Sequence, residues 1–145
     1  MIAVDTNLLV YAHRRDSAWH GPARTMLRNL AEGSSPWAVP WPCLHEFFSI
    51  VTHPKIFRPP STLDEALEEI DAWMGSPSHI LIGEDQGYWA YLVDFIETAK
   101  VKGPLVHDAR VAAICRLHGV RELWTADRDY SRFPQLKVKN PLVAG

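Results

Sequence analysis

Ile2-Ala3-Val4-Asp5-Thr6-Asn7 carries a short apolar strand, Met1 to Val4, straight into an acid, a hydroxyl and an amide. The same event recurs along the chain. Asp108 follows Pro104-Leu105-Val106-His107, and Asp127 follows Leu123-Trp124-Thr125-Ala126. Glu46 lies in Pro42-Cys43-Leu44-His45-Glu46-Phe47-Phe48, on a helix that follows another strand. In an open parallel α/β sheet the C-terminal ends of the strands share one edge, and ligands bind in the crevice there. Four carboxylates far apart in sequence can therefore meet in one cleft. Such a group calls for a hard divalent cation, and a cation held there acts on phosphates.

Outward from Asp5, strands and helices alternate. Asp16 or Ser17 caps a helix with the stripe Trp19, Ala23, Met26, Leu27 and Leu30. Trp37 to Pro40 reads as a second strand. Pro42 fits the first turn of a helix whose stripe is Leu44, Phe47, Phe48 and Val51, stopped by His53-Pro54. Thr62 and Glu65 have capping-box spacing ahead of Leu63, Leu67, Ile70, Trp73 and Met74, with Gly75 as the stop. Ile80 to Ile82 is a third strand. Asp85 starts a helix carrying Tyr88, Trp89, Leu92, Phe95 and Ile96. Asp108 starts another through Val111, Ile114, Cys115 and His118 to Gly119. Leu123 to Thr125 and Leu136 to Val138 complete five strands. This order predicts an α/β fold with a parallel sheet covered on both faces, in one domain over residues 1–145.

Composition narrows the class. A 47% hydrophobic and 22% charged chain is of the ordinary globular kind and long enough to bury a core without staples. Cys43 and Cys115 sit in apolar helical contexts, which argues for buried thiols and a reducing, cytoplasmic setting. No apolar run approaches the roughly 18 residues of a membrane span, and no signal peptide is evident. A net charge of -2 excludes holding nucleic acid by bulk charge. The histidines lack zinc spacing, with no His-x-x-x-His or Cys-x-x-Cys.

Each acid has a plain structural reading beside the functional one. Asp5 fits a turn or cap. Glu46 lies off its helix's apolar stripe, as a solvent-facing glutamate would. Asp108 makes a good N-cap, a role compatible with ligation because a carboxylate has several lone pairs. Asp127 and Asp129, flanking Arg128, fit an Asx-turn with a local ion pair. Asp127 is nearer the strand end and is favoured over Asp129. Capping accounts for any one of these better than for the ordered set.

That set resembles the PIN domain, more narrowly the VapC-type ribonuclease toxins of bacterial toxin–antitoxin pairs. The matching elements are Val4-Asp5-Thr6-Asn7, Glu46, His107-Asp108-Ala109 and Thr125-Ala126-Asp127-Arg128-Asp129-Tyr130. Tyr130 stands where the family commonly has Phe, and His107 where it often has Asn. His53 through Ala66 also resembles this subgroup, so the likeness spans nearly the whole chain. It implies a three-layer α/β/α, Rossmann-like domain with a central, mostly parallel sheet of about five strands. It implies Mg²⁺- or Mn²⁺-dependent cleavage of RNA phosphodiesters, a homodimer, and a cognate antitoxin whose tail blocks the acidic cleft.

Carried onto this sequence, the resemblance makes Asp5, Glu46, Asp108 and Asp127 catalytic and Asp5, Asp108 and Asp127 the metal ligands. Glu46 either binds the metal through water or orients the attacking water, Thr6 and Thr125 hydrogen-bond a ligating carboxylate or the scissile phosphate, and Asp129 is a further supporting candidate. Arg14, Arg15, Arg110, Arg128 and Arg132 are candidates for RNA phosphates, beside the reading of them as solvated arginines. Trp19, Trp73 and Trp89 read as core, whereas Trp37 and Trp41 flank the second strand and stay open as base-stacking residues. Apolar surface on the first four helices suits either a partner helix or a dimer face. A catalytically silent RNA- or partner-binding module and a metal-dependent DNase remain as rivals. An aspartyl-nucleophile phosphatase needs an Asp where Asn7 stands. A phosphoacceptor receiver places its key Asp in a mid-chain strand and a Lys after a late strand, and this pattern does not appear.

Overall fold

A computed structural model describes residues 1–143. The expected domain span of 1–145 runs two residues past that range. The elements in chain order are β1 (Ile2–Val4), α1 (Thr6–His13), α2 (His20–Glu32), β2 (Trp37–Pro40), α3 (Trp41–Val51), α4 (Leu63–Met74), β3 (His79–Ile82), α5 (Tyr88–Ala99), α6 (Val106–Leu117), β4 (Glu122–Trp124) and β5 (Val138–Lys139). Short 3₁₀ turns cover Gly103–Leu105 and Arg128–Arg132.

The sheet runs β3-β2-β1-β4-β5, and every pairing is parallel. Ala3 sits opposite Ala38 on one side and Leu123 on the other. The chain leaves β1 toward β2 and β3, then returns past β1 to lay down β4 and β5. Successive connections therefore depart from β1 in opposite directions, which opens a crevice between the C-terminal ends of β1 and β4. Ala3, Val4, Ala38, Val39 and Leu123 in the central strands are fully buried, as expected of a sheet covered on both faces. The expected three-layer α/β/α architecture is the one observed.

Several boundaries differ from the sequence reading. Helix α1 was not expected at all. Leu8, Leu9, Val10 and Ala12 are all buried in it, so it lacks the polar face that gives a helix its 3.6-residue signature. Asp5 caps it, with its side chain accepting from the Thr6 N–H. Helix α2 begins at His20 rather than at Asp16 or Ser17. Asp16 is instead paired with Arg14, and Trp19 at the N-cap position is 42% exposed, not core. Helix α5 begins at Tyr88 behind the left-handed Gly87, three residues after Asp85, and turns Trp89 outward at 69% exposure. Helix α6 starts at Val106, so Asp108 lies inside its first turn and does not cap it. Strand β4 ends at Trp124 and β5 covers Val138–Lys139, shifts of one or two residues.

The capping box on α4 forms as the spacing predicts. Thr62 Oγ1 accepts from the Glu65 N–H at 3.1 Å, and Glu65 Oε1 accepts from the Thr62 N–H at 2.9 Å. The expected α4 stripe is only partly buried. Trp73 and Ala66 are in the core, while Leu63 and Leu67 stand 62% and 50% exposed. Cys43 and Cys115 are free and buried, as expected.

Candidate active site

Asp5 is the first residue past β1, and its backbone N–H still bonds the Trp124 carbonyl of β4 at 3.0 Å. This bond ties the ends of the two strands together at the switch point. The carboxylate is 6% exposed and accepts three hydrogen bonds. The Thr6 N–H (2.8 Å) and the Cys43 thiol (3.4 Å) reach Oδ1, and the Thr125 hydroxyl reaches Oδ2 at 2.8 Å. A carboxylate offers about four lone-pair sites, so one remains for a further ligand. Burial raises the Asp5 pKa, opposed by the bonds from Thr125, Thr6 and Cys43.

Thr125, just past β4, has no freedom left. Its oxygen accepts from Asn7 Nδ2 (3.2 Å) and from the Asp127 N–H (3.0 Å). With both lone pairs used, its single proton points at Asp5. Asn7 also accepts from the Ala126 N–H at 3.1 Å, locking α1 to the loop after β4. That loop presents Asp127, whose Oδ1 caps the following 3₁₀ turn through the Asp129 N–H at 2.8 Å.

Asp5, Glu46, Asp108 and Asp127 all line one cleft of about 390 Å³, together with Cys43, His45, His107 and Arg110. Carboxylate oxygens of Asp108, Asp127 and Asp129 lie within 4.8 Å of one another. The resemblance makes Asp5, Asp108 and Asp127 the ligands, with Asp129 in support; the trio instead joins Asp129 to Asp108 and Asp127, while Asp5 lines the same cleft. Burial and then the charges of Asp127, Asp5, Asp129 and Glu46 push the Asp108 carboxyl from 3.8 up to about 6. Glu46 is also raised, by burial first and then by Asp5. Mutual repulsion among oxygen donors is the condition a hard divalent cation relieves, and an all-carboxylate set suits Mg²⁺ or Mn²⁺ better than zinc. The residues fit such an ion.

Other expected residues are distributed unevenly. Thr6 lines the cleft beside Asp5, and Arg110 lines it while paired with Glu84. Arg128 lies between Asp127 and Asp129, and Arg132 follows them, bonded to the Asp129 carbonyl at 3.0 Å. Arg14 and Arg15 lie at the far end of α1, in a separate groove of about 850 Å³ shared with Arg24, Arg28 and Glu69. Cys43 and Asn7 also belong to the site, through the Asp5 carboxylate and the Thr125 hydroxyl respectively. Cys43 lies three residues before Glu46, a same-face spacing that could have flagged it. Asn7 acts across 118 residues, and no local pattern reports that.

A doubly wound parallel sheet with a carboxylate cleft at its switch point defines the class: a Rossmann-like domain of PIN type. The PIN-domain family model matches residues 2–136, and the chain belongs to this family, among relatives named VapC ribonucleases. It is 30% identical over 137 residues to Ribonuclease VapC48 of Mycobacterium tuberculosis, covering 94% of each chain. The fold also matches the VapBC2 structure from Rickettsia felis, at a TM-score of 0.68 and 18% identity over 96% of this chain and 98% of that one. A toxin–antitoxin complex from Klebsiella pneumoniae matches at a TM-score of 0.61 and 20% identity, over 97% and 98% of the two chains.

Proposed function

We propose that this chain is a divalent-metal-dependent endoribonuclease, the toxin of a cytoplasmic toxin–antitoxin pair. The observation that carries the reading is the convergence of Asp5, Glu46, Asp108 and Asp127 from four separate elements on one cleft. The relative named a ribonuclease supports RNA over DNA as the substrate. The structural match to a toxin–antitoxin complex supports a protein inhibitor. A homodimer goes with the same reading. None of the helices among the described residues is long and apolar enough to cross a membrane.

In this mechanism Asp108, Asp127 and Asp129, with Asp5 in the same cleft, would hold Mg²⁺ or Mn²⁺. An ion held there would supply Lewis acidity to a water and offset charge on the phosphoryl oxygens. Thr125 and Thr6 fix the Asp5 carboxylate so that its free lone pair faces the cleft. Glu46 would orient the attacking water and take its proton, helped by the burial that raises its pKa. The water oxygen would bond to phosphorus as the P–O3′ bond breaks, the departing 3′ oxygen would take a proton from solvent water, and Glu46 would release its own proton to solvent. The products carry a 5′-phosphate and a 3′-hydroxyl. Purified protein incubated with a mixed pool of structured RNAs in Mg²⁺, Mn²⁺ or EDTA tests this. Cuts that need the metal, leave 5′-phosphates and vanish in Asp5→Asn support it. Cleavage retained in Asp5→Asn sinks the scheme, and cleavage of DNA alone makes the enzyme a DNase.

A further inference from the structure

The rim of the cleft on the β2–β3 side is aromatic. Trp41 opens α3 directly after β2 and leaves 40% of its surface exposed. One turn on, His45 lines the cleft, and the two rings lie 6.0 Å apart at a 35° angle. Among the described residues, Trp41 is the tryptophan whose ring pairs with an aromatic ring lining the cleft.

The indole rests on Gly83, just past β3. A Cβ there would stand 3.1 Å from Trp41 Cδ1, so a side chain would crowd the ring off its shelf. The shelf is itself anchored, because the Gly83 carbonyl accepts a 2.8 Å hydrogen bond from His118 Nε2. The rim continues through Glu84 to Arg110, which also lines the cleft. An indole held at a fixed tilt, partly open to solvent and next to a phosphate-handling cleft has the features of a base-stacking platform.

Resting on the ribonuclease reading, we infer that Trp41, backed by His45, stacks an unpaired nucleobase of the RNA beside the scissile phosphate. Every base has a π-face, so Trp41 selects for unpaired strand more than for base identity. Stacking that is equal in the ground and transition states changes KM and leaves kcat alone.

The test is steady-state cleavage of a short single-stranded RNA by wild type, Trp41→Phe and Trp41→Leu. Binding of the same labelled RNA in EDTA is read by anisotropy. Leucine keeps apolar bulk without a ring. Trp41→Leu should raise KM and Kd about tenfold with kcat within about twofold of wild type, while Trp41→Phe stays close to wild type. All three proteins should show the same Mg²⁺-induced rise in Tm and the same mass by light scattering. Equal KM and Kd in all three proteins overturns the stacking role and leaves the nuclease reading standing. A changed mass with unchanged Kd overturns it in favour of a protein contact at Trp41. Wild type that neither binds nor cuts RNA overturns both readings.

Discussion

The Thr125 hydroxyl makes three hydrogen bonds, and each joins a different part of the site. Thr125→Val removes the donor to Asp5 and strands both Asn7 Nδ2 and the Asp127 N–H. Loss of such a supporting contact typically costs 10- to 100-fold, so kcat should fall by about that factor. Thr125→Ser should recover most of the rate; a valine variant at wild-type kcat would remove Thr125 from the mechanism. The acids also set a pH signature. Asp108 is pushed from 3.8 up to about 6, so between those values the folded chain holds a proton that the unfolded chain has released. Metal-free protein therefore loses stability as pH rises through that window, and the cost is complete above it. A divalent cation competes with that proton below about pH 6 and finds a bare carboxylate above it. The rise in Tm on adding Mg²⁺ or Mn²⁺ should be larger near pH 7.5 than near pH 5. An equal rise at both would place the ion away from Asp108. Asp5 and Asp127 are legible because each follows the end of a strand, and Glu46 because its helix follows β2; Asp108 follows a 3₁₀ turn and is legible only from the helix it stands in. Asp129's place in the trio is not, because it depends on how the 3₁₀ turn at Arg128–Arg132 swings its carboxylate back.

The elements differ in how openly the sequence announces them. Helix α4 carries a capping box at fixed spacing, readable from Thr62 and Glu65 alone. Helix α1 offers no such contrast, since it is apolar nearly all round and runs straight on from β1. Asp5 fits a turn or a cap in the sequence, and the structure makes it the cap of this otherwise unannounced helix. Burial and legibility thus trade off, and stability should follow burial. Leu9 is fully buried in α1, so Leu9→Ala should cost about 3 kcal/mol. Leu67 is half exposed on α4, and Leu67→Ala should stay within about 0.5 kcal/mol. Thr62→Ala loses the cap and should cost about 1 kcal/mol. Urea titration of the three variants would rank them; Leu67→Ala matching Leu9→Ala would mean that α4 is more tightly covered than its exposure implies.

At the scale of the whole molecule, charge argues for an unusual kind of nucleic-acid enzyme. A net charge of -2 gives no broad attraction to a polyanion, and the cleft itself concentrates carboxylates. Arg110 lines the cleft but is already paired with Glu84, so little free positive charge faces the substrate. The large groove with Arg14, Arg15, Arg24 and Arg28 also holds Asp16, Glu65, Glu68 and Glu69, which balances its sign. On the proposed mechanism, affinity for RNA comes from a held cation and from contacts such as the inferred Trp41 stack, neither of which releases many counterions. For single strands, log K falls with log salt at about 0.7 per phosphate neutralised by the protein. With one or two such phosphates, raising salt from about 50 to about 200 mM should weaken RNA binding by about tenfold or less. A basic RNA-binding protein with many contacts would lose about a thousandfold or more over the same range. Anisotropy of a labelled RNA bound to Asp5→Asn, titrated at constant Mg²⁺ across that range, separates the two. A steep slope would assign the arginines of the far groove to the RNA, and Arg15→Glu with Arg28→Glu should then flatten it.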